Sequence, residues 1–355
     1  MRIALLSDGR NVHTARWAGY FKEQGDEVLL ITLEPPRPMP VPVRRLGTGL
    51  PPGAVACTLA APAAARVLGR FDPDLVSAHF VPNYGWLAWL AGRRPWALSA
   101  WGSDVLVNPH RSAFHRWRAR RVLRAADLVI SDAAMLSEAI VELAGEGVAP
   151  LTVPMGVDRA FFDAGAEPAP REPVILHDRN LEPVYDVATV LRGAAGFLRV
   201  FPDWRLRLAG DGEQRASLER LAGELEIAGR VDWLGRVPRE RLARELRRAS
   251  LYLSASLSDS TSVSLLEAMA LGAYPVLSDI PANREWIPAP PRACYFPPGR
   301  PEDLTRALLE AVALPGTERR AAGEANRRRV AEAAIWEDNM ATVRAAFAEL
   351  AGARP

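Results

Sequence analysis

The chain is almost without lysine. Of its 44 lysines and arginines, a single one, Lys22, is a lysine. That excludes, at every other position, a phosphate-loop lysine, a Schiff base or a catalytic lysine pair. Cysteine is scarce too. Cys57 and Cys294 lie far apart, which excludes a disulfide framework and a cysteine zinc site. No unbroken apolar run reaches about 18 residues, so no membrane-spanning helix is expected. Net charge is only +2, too little for a polyelectrolyte partner, and no nucleic-acid ligand is expected. The opening residues, MRIALLSDGR, hold an apolar run too short for a signal-peptide core. They read as a first strand, and the expected location is cytoplasmic.

What is present is a globular composition, 49% hydrophobic and 24% charged over 355 residues, enough for two ordinary domains. Short apolar runs alternate with longer helical patterns, which predicts parallel sheets covered by helices. In the first half the predicted strands are 3–6, 28–32, 75–78, 97–100 and 128–131, with helices over 14–24 and 114–126. Residues 33–50 carry Pro35, Pro36, Pro38, Pro40 and Pro42 and read as an extended loop. Near 153–163 the rhythm resets into a Pro- and Ala-rich linker, AGAEPAPREP. In the second half strands are predicted at 174–177, 205–209, 231–234, 251–254 and 274–277. Helices are predicted at 187–200, 214–225, 239–248, 262–271 and 301–313. The expected domains are 1–163 and 164–334, with a final helix in 335–355 crossing back to the first. Such α/β halves bind ligands beyond the carboxyl ends of their strands, so the site is expected in a cleft between them.

The most informative stretch is SASLSDSTSVSLLEAMALGAYPVLSDIPANRE, residues 254–285. Asp259 sits in a polar loop, and Glu267 lies eight residues on, inside an apolar helix ending at Gly272. A carboxylate in such a helix needs a partner, and sugar hydroxyls are good donors to it. The amides of Ser262, Val263 and Ser264 fall at the helix N-terminus, where anions bind. The stretch therefore offers a phosphate cradle flanked by two acids. The same spacing also suits an ordinary amphipathic helix with a capping loop.

The pattern Asp259, seven residues, Glu267, then AMALGAYPV resembles the signature of glycosyltransferase family 4, retaining enzymes of the GT-B fold. The resemblance implies two Rossmann-like domains facing a central cleft. It implies that Glu267 binds the ribose hydroxyls of a nucleotide sugar and that Asp259 binds the transferred sugar. The family usually has Glu at the position of Asp259. The segments LRLAGDGEQRASLERLAGEL and VDWLGRVPRERLARELRRASLYLSAS are similar to the middle of the family's second domain. They imply donor contacts at Gly210 and Gly212, and a base-holding loop over Gly235 to Val237. Arg215 at the third glycine position argues against a dinucleotide fingerprint. HDRNLEPVYD resembles the segment whose Arg and Lys clamp the donor diphosphate. Arg179 keeps the first place, and Tyr185 stands where the lysine is expected.

In the first half, LSAWGSDVLVNP resembles a family segment in which Trp101 replaces a His, followed by Gly102, Ser103 and Asp104. Trp101 stacks on a sugar or fills the cleft wall; Asp104 binds a hydroxyl or caps a helix. SDGRNVHTARW supplies Gly9, where backbone can approach a ligand, and Arg10, Asn11 and His13 as polar candidates. His79 ends another strand and is a base, a ligand or a structural residue. The pair Asp72 and Asp74 has metal-binding spacing but lies at the wrong strand end, and His110 and His115 lack ligand spacing. No metal and no cofactor are expected beyond a UDP- or GDP-linked sugar as substrate. Arg111, Arg116, Arg118, Arg120, Arg121 and Arg124, with Phe114 and Trp117, form a basic amphipathic segment suited to anionic lipid or to solvent.

The resemblance implies metal-independent transfer of a sugar from a nucleoside diphosphate to an acceptor hydroxyl with retention. Arg179, Asp259 and Glu267 are then the catalytic candidates, in glycan, glycolipid or polysaccharide synthesis. The alternatives are a catalytically weak nucleotide-sugar-binding protein and a GT-B sugar-nucleotide epimerase.

Overall fold

The computed structural model describes residues 1–166 and 169–352. Part of the expected linker, residues 167 and 168, and the end of the expected crossing segment, 353–355, lie outside the described residues. The chain divides into two compact units, one of Met1–Val153 with the chain from Met340 on, the other of Pro154–Asn339. The first boundary thus falls before the expected residue 163. The reason is local: Val157 bridges to Ile335, and Phe161 is buried in the second unit's core.

The first unit holds a parallel sheet of β1 Arg2–Leu6, β2 Glu27–Thr32, β3 Val43–Arg45, β4 Leu75–His79, β5 Trp96–Ala100, β6 Leu128–Ser131 and β7 Leu151–Thr152. Their order is β3-β2-β1-β4-β5-β6-β7, so the order reverses beside β1, the switch point where open sheets bind ligands. β3 forms inside the stretch read as an extended loop, pairing Leu30 to Val43 on the sheet edge, where neighbouring prolines are tolerated. Helices Val12–Glu23, Ala54–Phe71 and Ala113–Ala125 cover the faces. The Ala54–Phe71 helix is, by length and composition, apolar enough to span a bilayer, contrary to expectation. Here it packs Ala56, Cys57, Ala60, Ala64 and Leu68 into the unit's core, at helical spacing. The last helix, Trp336–Gly352, places Phe347 against Phe21, rings 5.4 Å apart, and Arg344 on Asp26 at 2.8 Å.

The second unit has β8 Glu172–His177, β9 Arg205–Ala209, β10 Val231–Gly235, β11 Ala249–Ser254, β12 Tyr274–Ser278 and β13 Cys294–Phe296. The order is β10-β9-β8-β11-β12-β13, all parallel, again with the switch beside the first strand. β8 and β11 are buried on both faces. Ile175 enters one core cluster, while Val174 and Leu176 enter the other, the period-2 alternation of a covered strand. Helices Val187–Val200, Arg239–Arg248, Val263–Ala270, Pro301–Ala313 and Gly316–Ala333 supply the two layers.

Candidate active site

In the second unit the switch point brings together four of the expected donor residues, Arg179, Tyr185, Asp259 and Ser262. Arg179 follows β8 and is buried. Its Nη1 donates to Ser262 Oγ at 2.6 Å, and its Nη2 donates to Asp259 Oδ2 at 2.6 Å. Burial opposes the guanidinium charge most strongly, but Asp259 together with Tyr185, Tyr252 and Asp178 outweighs it and raises the arginine's pKa. Tyr185, in a short turn Pro183–Tyr185, lies flat beneath the guanidinium, 4.2 Å from ring centroid to Cζ. Ser262 is the N-cap of the Val263–Ala270 helix, and its Oγ also accepts from the Leu265 amide at 3.3 Å. One hydroxyl thus joins the helix N-terminus to the arginine. The amides of Val263 and Ser264 precede the first intrahelical bond, Leu266 to Ser262.

Glycines bring the β8 and β9 loops together. A Cβ on Gly210 would overlap the Arg179 carbonyl oxygen, and one on Gly212 would lie 2.5 Å from the Leu181 oxygen. Leu181 in turn donates its amide to Asp211 O at 3.2 Å. These two glycines therefore seat the loop that carries Arg179. Gly235, at the end of β10, is left-handed with φ +65°, and Val237 packs against the core cluster of Phe161.

Glu267 is buried in the helix, 4% exposed, and the structure supplies a partner the sequence reading did not name. Arg239 Nη1 donates to Glu267 Oε1 at 2.8 Å, and Arg239 Nη2 pairs with Asp158 at 2.6 Å. Also unnamed was Asp178. Burial raises its carboxyl to about 6, while the adjacent Arg179 charge acts in the opposite sense. An acid directly preceding Arg179 at a strand end was the available signal.

In the first unit His13, His79 and Trp101 form one aromatic cluster at the carboxyl ends of β1, β4 and β5. His79 lies 4.8 Å from the Trp101 ring and 4.7 Å from Trp17; His13 lies 5.9 Å from Trp101. Burial lowers His13 to about 4 and His79 to about 3, so both are neutral near pH 7. His79 is fully buried, with Nδ1 3.2 Å from Ser7 Oγ. Asp104 is also fully buried and not surface-lining. Its Oδ2 accepts from the Val81 amide and its Oδ1 from the Trp101 amide, both at 3.0 Å. It ties two loops together, which holds Phe80 in the left-handed region at φ 74°. Arg10 pairs with Asp8 at 2.7 Å and lies 4.0 Å from Glu34. Gly9 is compelled by packing: a Cβ there would meet Pro36 at 2.9 Å, and its amide donates to Thr32 Oγ1.

The sequence reading also passed over Glu34. It is buried after β2, accepts from Thr32 Oγ1 at 3.1 Å and pairs closely with Tyr84. Asp72 and Asp74 are structural: Asp72 pairs with Arg93, and Asp74 accepts from the Arg2 amide at 2.8 Å.

Two family descriptions match the chain. "Glycosyl transferases group 1" covers residues 158–329, and "Glycosyl transferase 4-like" covers residues 2–133. Among curated proteins the chain is 28% identical over 240 residues to a D-inositol 3-phosphate glycosyltransferase of Nocardia farcinica, covering 58% of this chain and 51% of that one. It is 30% identical over 165 residues to a phosphatidyl-myo-inositol mannosyltransferase of Mycobacterium tuberculosis, covering 44% and 42%. The chain thus spans about half the length of these curated relatives. Among solved structures, sucrose-phosphate synthase of Thermosynechococcus elongatus superposes with TM-score 0.84 at 19% identity over 100% of both chains. Anabaena HepE in complex with UDP superposes with TM-score 0.78 at 16% identity, covering 99% of this chain and 100% of that one. At these identities the two structures establish the shared fold.

Proposed function

Starting from a chain that belongs to the family 4 glycosyltransferases, we propose that it moves a sugar from a nucleoside diphosphate to an acceptor hydroxyl with retention. The observation that carries this reading is the buried Arg179 held at the head of the Val263–Ala270 helix by Ser262 and Asp259. A guanidinium and helix amides are matched to a diphosphate leaving group. HepE is known in complex with UDP, which supports a nucleotide donor.

In this reading Glu267 accepts from the ribose hydroxyls, and Asp259 from hydroxyls of the transferred sugar. The bond from anomeric carbon to phosphate oxygen breaks as the acceptor oxygen bonds on the same face. The acceptor proton passes to the leaving phosphate. Arg179 and the helix amides stabilise the departing charge, the electrostatic role that usually dominates. With these groups carrying the charge, no divalent metal is required, and turnover is expected to persist in EDTA. The acceptor lies against the first unit, near His13 and Trp101, and is a carbohydrate or a lipid-linked sugar. The working location is the cytoplasm, with peripheral contact to anionic membrane through residues 111–124. That contact is supported by Phe114 and Trp117, both about half exposed and stacked 5.9 Å apart, with Arg111, Arg116, Arg120, Arg121 and Arg124 exposed; Arg118 is buried, against the Phe114 ring, and does not join that face.

A second reading is favoured by one observation: Arg179 is engaged with Asp259, and no lysine stands at position 185. In it the protein binds nucleotide sugars without turnover. Calorimetry with UDP- and GDP-sugars, followed by a donor-hydrolysis assay, separates the two. Glu267→Gln, which keeps the side-chain volume, is expected to weaken donor binding at least tenfold. Unchanged affinity in that variant removes Glu267 from the donor site.

A further inference from the structure

The second sheet has another charged feature, at the edge opposite Arg179. A cavity of about 790 Å³ opens where β8, β11 and β12 begin. Arg171, Arg247, Arg319, Arg320 and Arg327 line it, with Glu324. Three of these arginines cap helix C-termini. Arg171 donates to Leu246 O, Ala249 O and Leu271 O at 2.7–3.0 Å, closing the Arg239–Arg248 and Val263–Ala270 helices. Arg319 donates through Nη1 to Ala311, Val312 and Leu314 carbonyls, closing Pro301–Ala313. Arg327 donates through Nη1 to Phe162 O and Ala270 O.

Capping accounts for only part of the charge. Five arginines line the cavity against one lining acid, Glu324, with Asp163 near Arg327, and the three capping arginines hold backbone carbonyls. The caps on Arg319 and Arg327 also use one nitrogen each, so the other donors of these guanidinium forks can face the cavity. Arg320 is exposed at the rim. We propose that this cavity binds the dianionic phosphate of a small phosphorylated ligand, at a site separate from the donor site around Arg179. Forked guanidinium donors suit phosphate oxygens, and the volume admits a sugar-sized group attached to the phosphate. Arg171 agrees with this: burial, then the nearby Arg247 charge, lowers it to about 10, a strain that a bound anion relieves.

The test uses the full chain, inorganic phosphate and a hexose phosphate, in thermal-shift and calorimetric titrations. Sodium chloride at matched ionic strength is the control. Saturable binding of either compound is expected, at least tenfold weaker in Arg320→Glu and unchanged in Arg179→Ala. Equal affinity for the two compounds identifies the free ion as sufficient; tighter binding of the ester identifies a phosphoester ligand. The proposal is overturned by stabilisation that chloride reproduces, by unchanged binding in Arg320→Glu, or by binding lost in Arg179→Ala. Arg320 is exposed, so its variant is expected to fold normally. Because donor binding is measured through Arg179 and Glu267, failure here leaves the glycosyltransferase reading separately testable.

Discussion

Arg179 meets two anionic partners, one real and one expected, with a single guanidinium. In the free protein Asp259 neutralises it, and Ser262 fixes its plane. A donor diphosphate would replace or share the Asp259 contact. Tyr185 takes the place of the lysine that the family resemblance led one to expect, yet its nearest relation is to Arg179 and not to solvent. The ring lies 4.2 Å from the guanidinium carbon, a cation–π contact that holds the arginine toward the helix. Such contacts contribute about 0.5–2 kcal/mol. Tyr185→Phe is therefore expected to leave donor affinity within about twofold, and Tyr185→Ala to weaken it about three- to tenfold. Calorimetry on both variants decides the matter. An equal loss in Tyr185→Phe would assign the effect to the hydroxyl, and so to a direct bond with phosphate.

At the scale of elements, the loops after β8, β9 and β11 form one assembly. Asp259, Ser262 and Glu267 were legible because they share one loop and helix. Their spacing alone places them on neighbouring turns. The role of Gly210 and Gly212 was legible only as a turn. Its cause lies in the β8 loop, about 30 residues earlier in the chain, whose carbonyls occupy the space of a side chain. Arg239 and Glu34 were not legible. Each meets its partner through tertiary packing, across residues whose local pattern reads as an ordinary helix start or a proline-rich loop. The Ala54–Phe71 helix escaped notice because alanine carries little periodic signal and Pro62 interrupts the pattern. β13 is three residues long, too short for alternation to show. Gly212→Ala tests the assembly. Overpacking against backbone is expected to cost about 1–3 kcal/mol, read from the urea midpoint. It should also displace the Arg179 loop and weaken donor binding severalfold. A destabilised variant that binds donor normally would show that the loop's seat and the arginine's aim are independent.

For the whole molecule, the buried titratable groups make the two units respond differently to acid. His13, His79 and His177 sit at about 4, 3 and 4 because burial disfavours the imidazolium. Their folded values lie below the unfolded value of about 6.5, so the unfolded chain takes up their protons first. The stability they contribute is present above about pH 6.5 and is lost progressively as the pH falls. Asp104 and Asp178 act oppositely. Burial raises both to about 6, above their unfolded value of 3.8, so the folded chain takes up protons first and gains stability as the pH falls between those values. In the second unit His177 and Asp178 nearly cancel. In the first unit two histidines face one aspartate, leaving a net uptake of about one proton on unfolding between pH 4 and 6. Stability of the first unit is then expected to fall by about 1.4 kcal/mol per pH unit across that window, while the second unit stays nearly level. Burial opposes the charge of Asp26, but Arg344 and the N-terminal ammonium lower it, and Arg205 and Arg207 lower Asp232; both lose their contribution as the pH falls below about 5, so they add to the loss only at the acid end of this window. Pulse proteolysis in urea at pH 7, 6 and 5, with fragments assigned to each unit, reads the two midpoints. His13→Gln removes one histidine from the count and is expected to flatten the first unit's response. An unchanged slope in that variant, or an equal slope in both units, would mean that other groups govern the acid response.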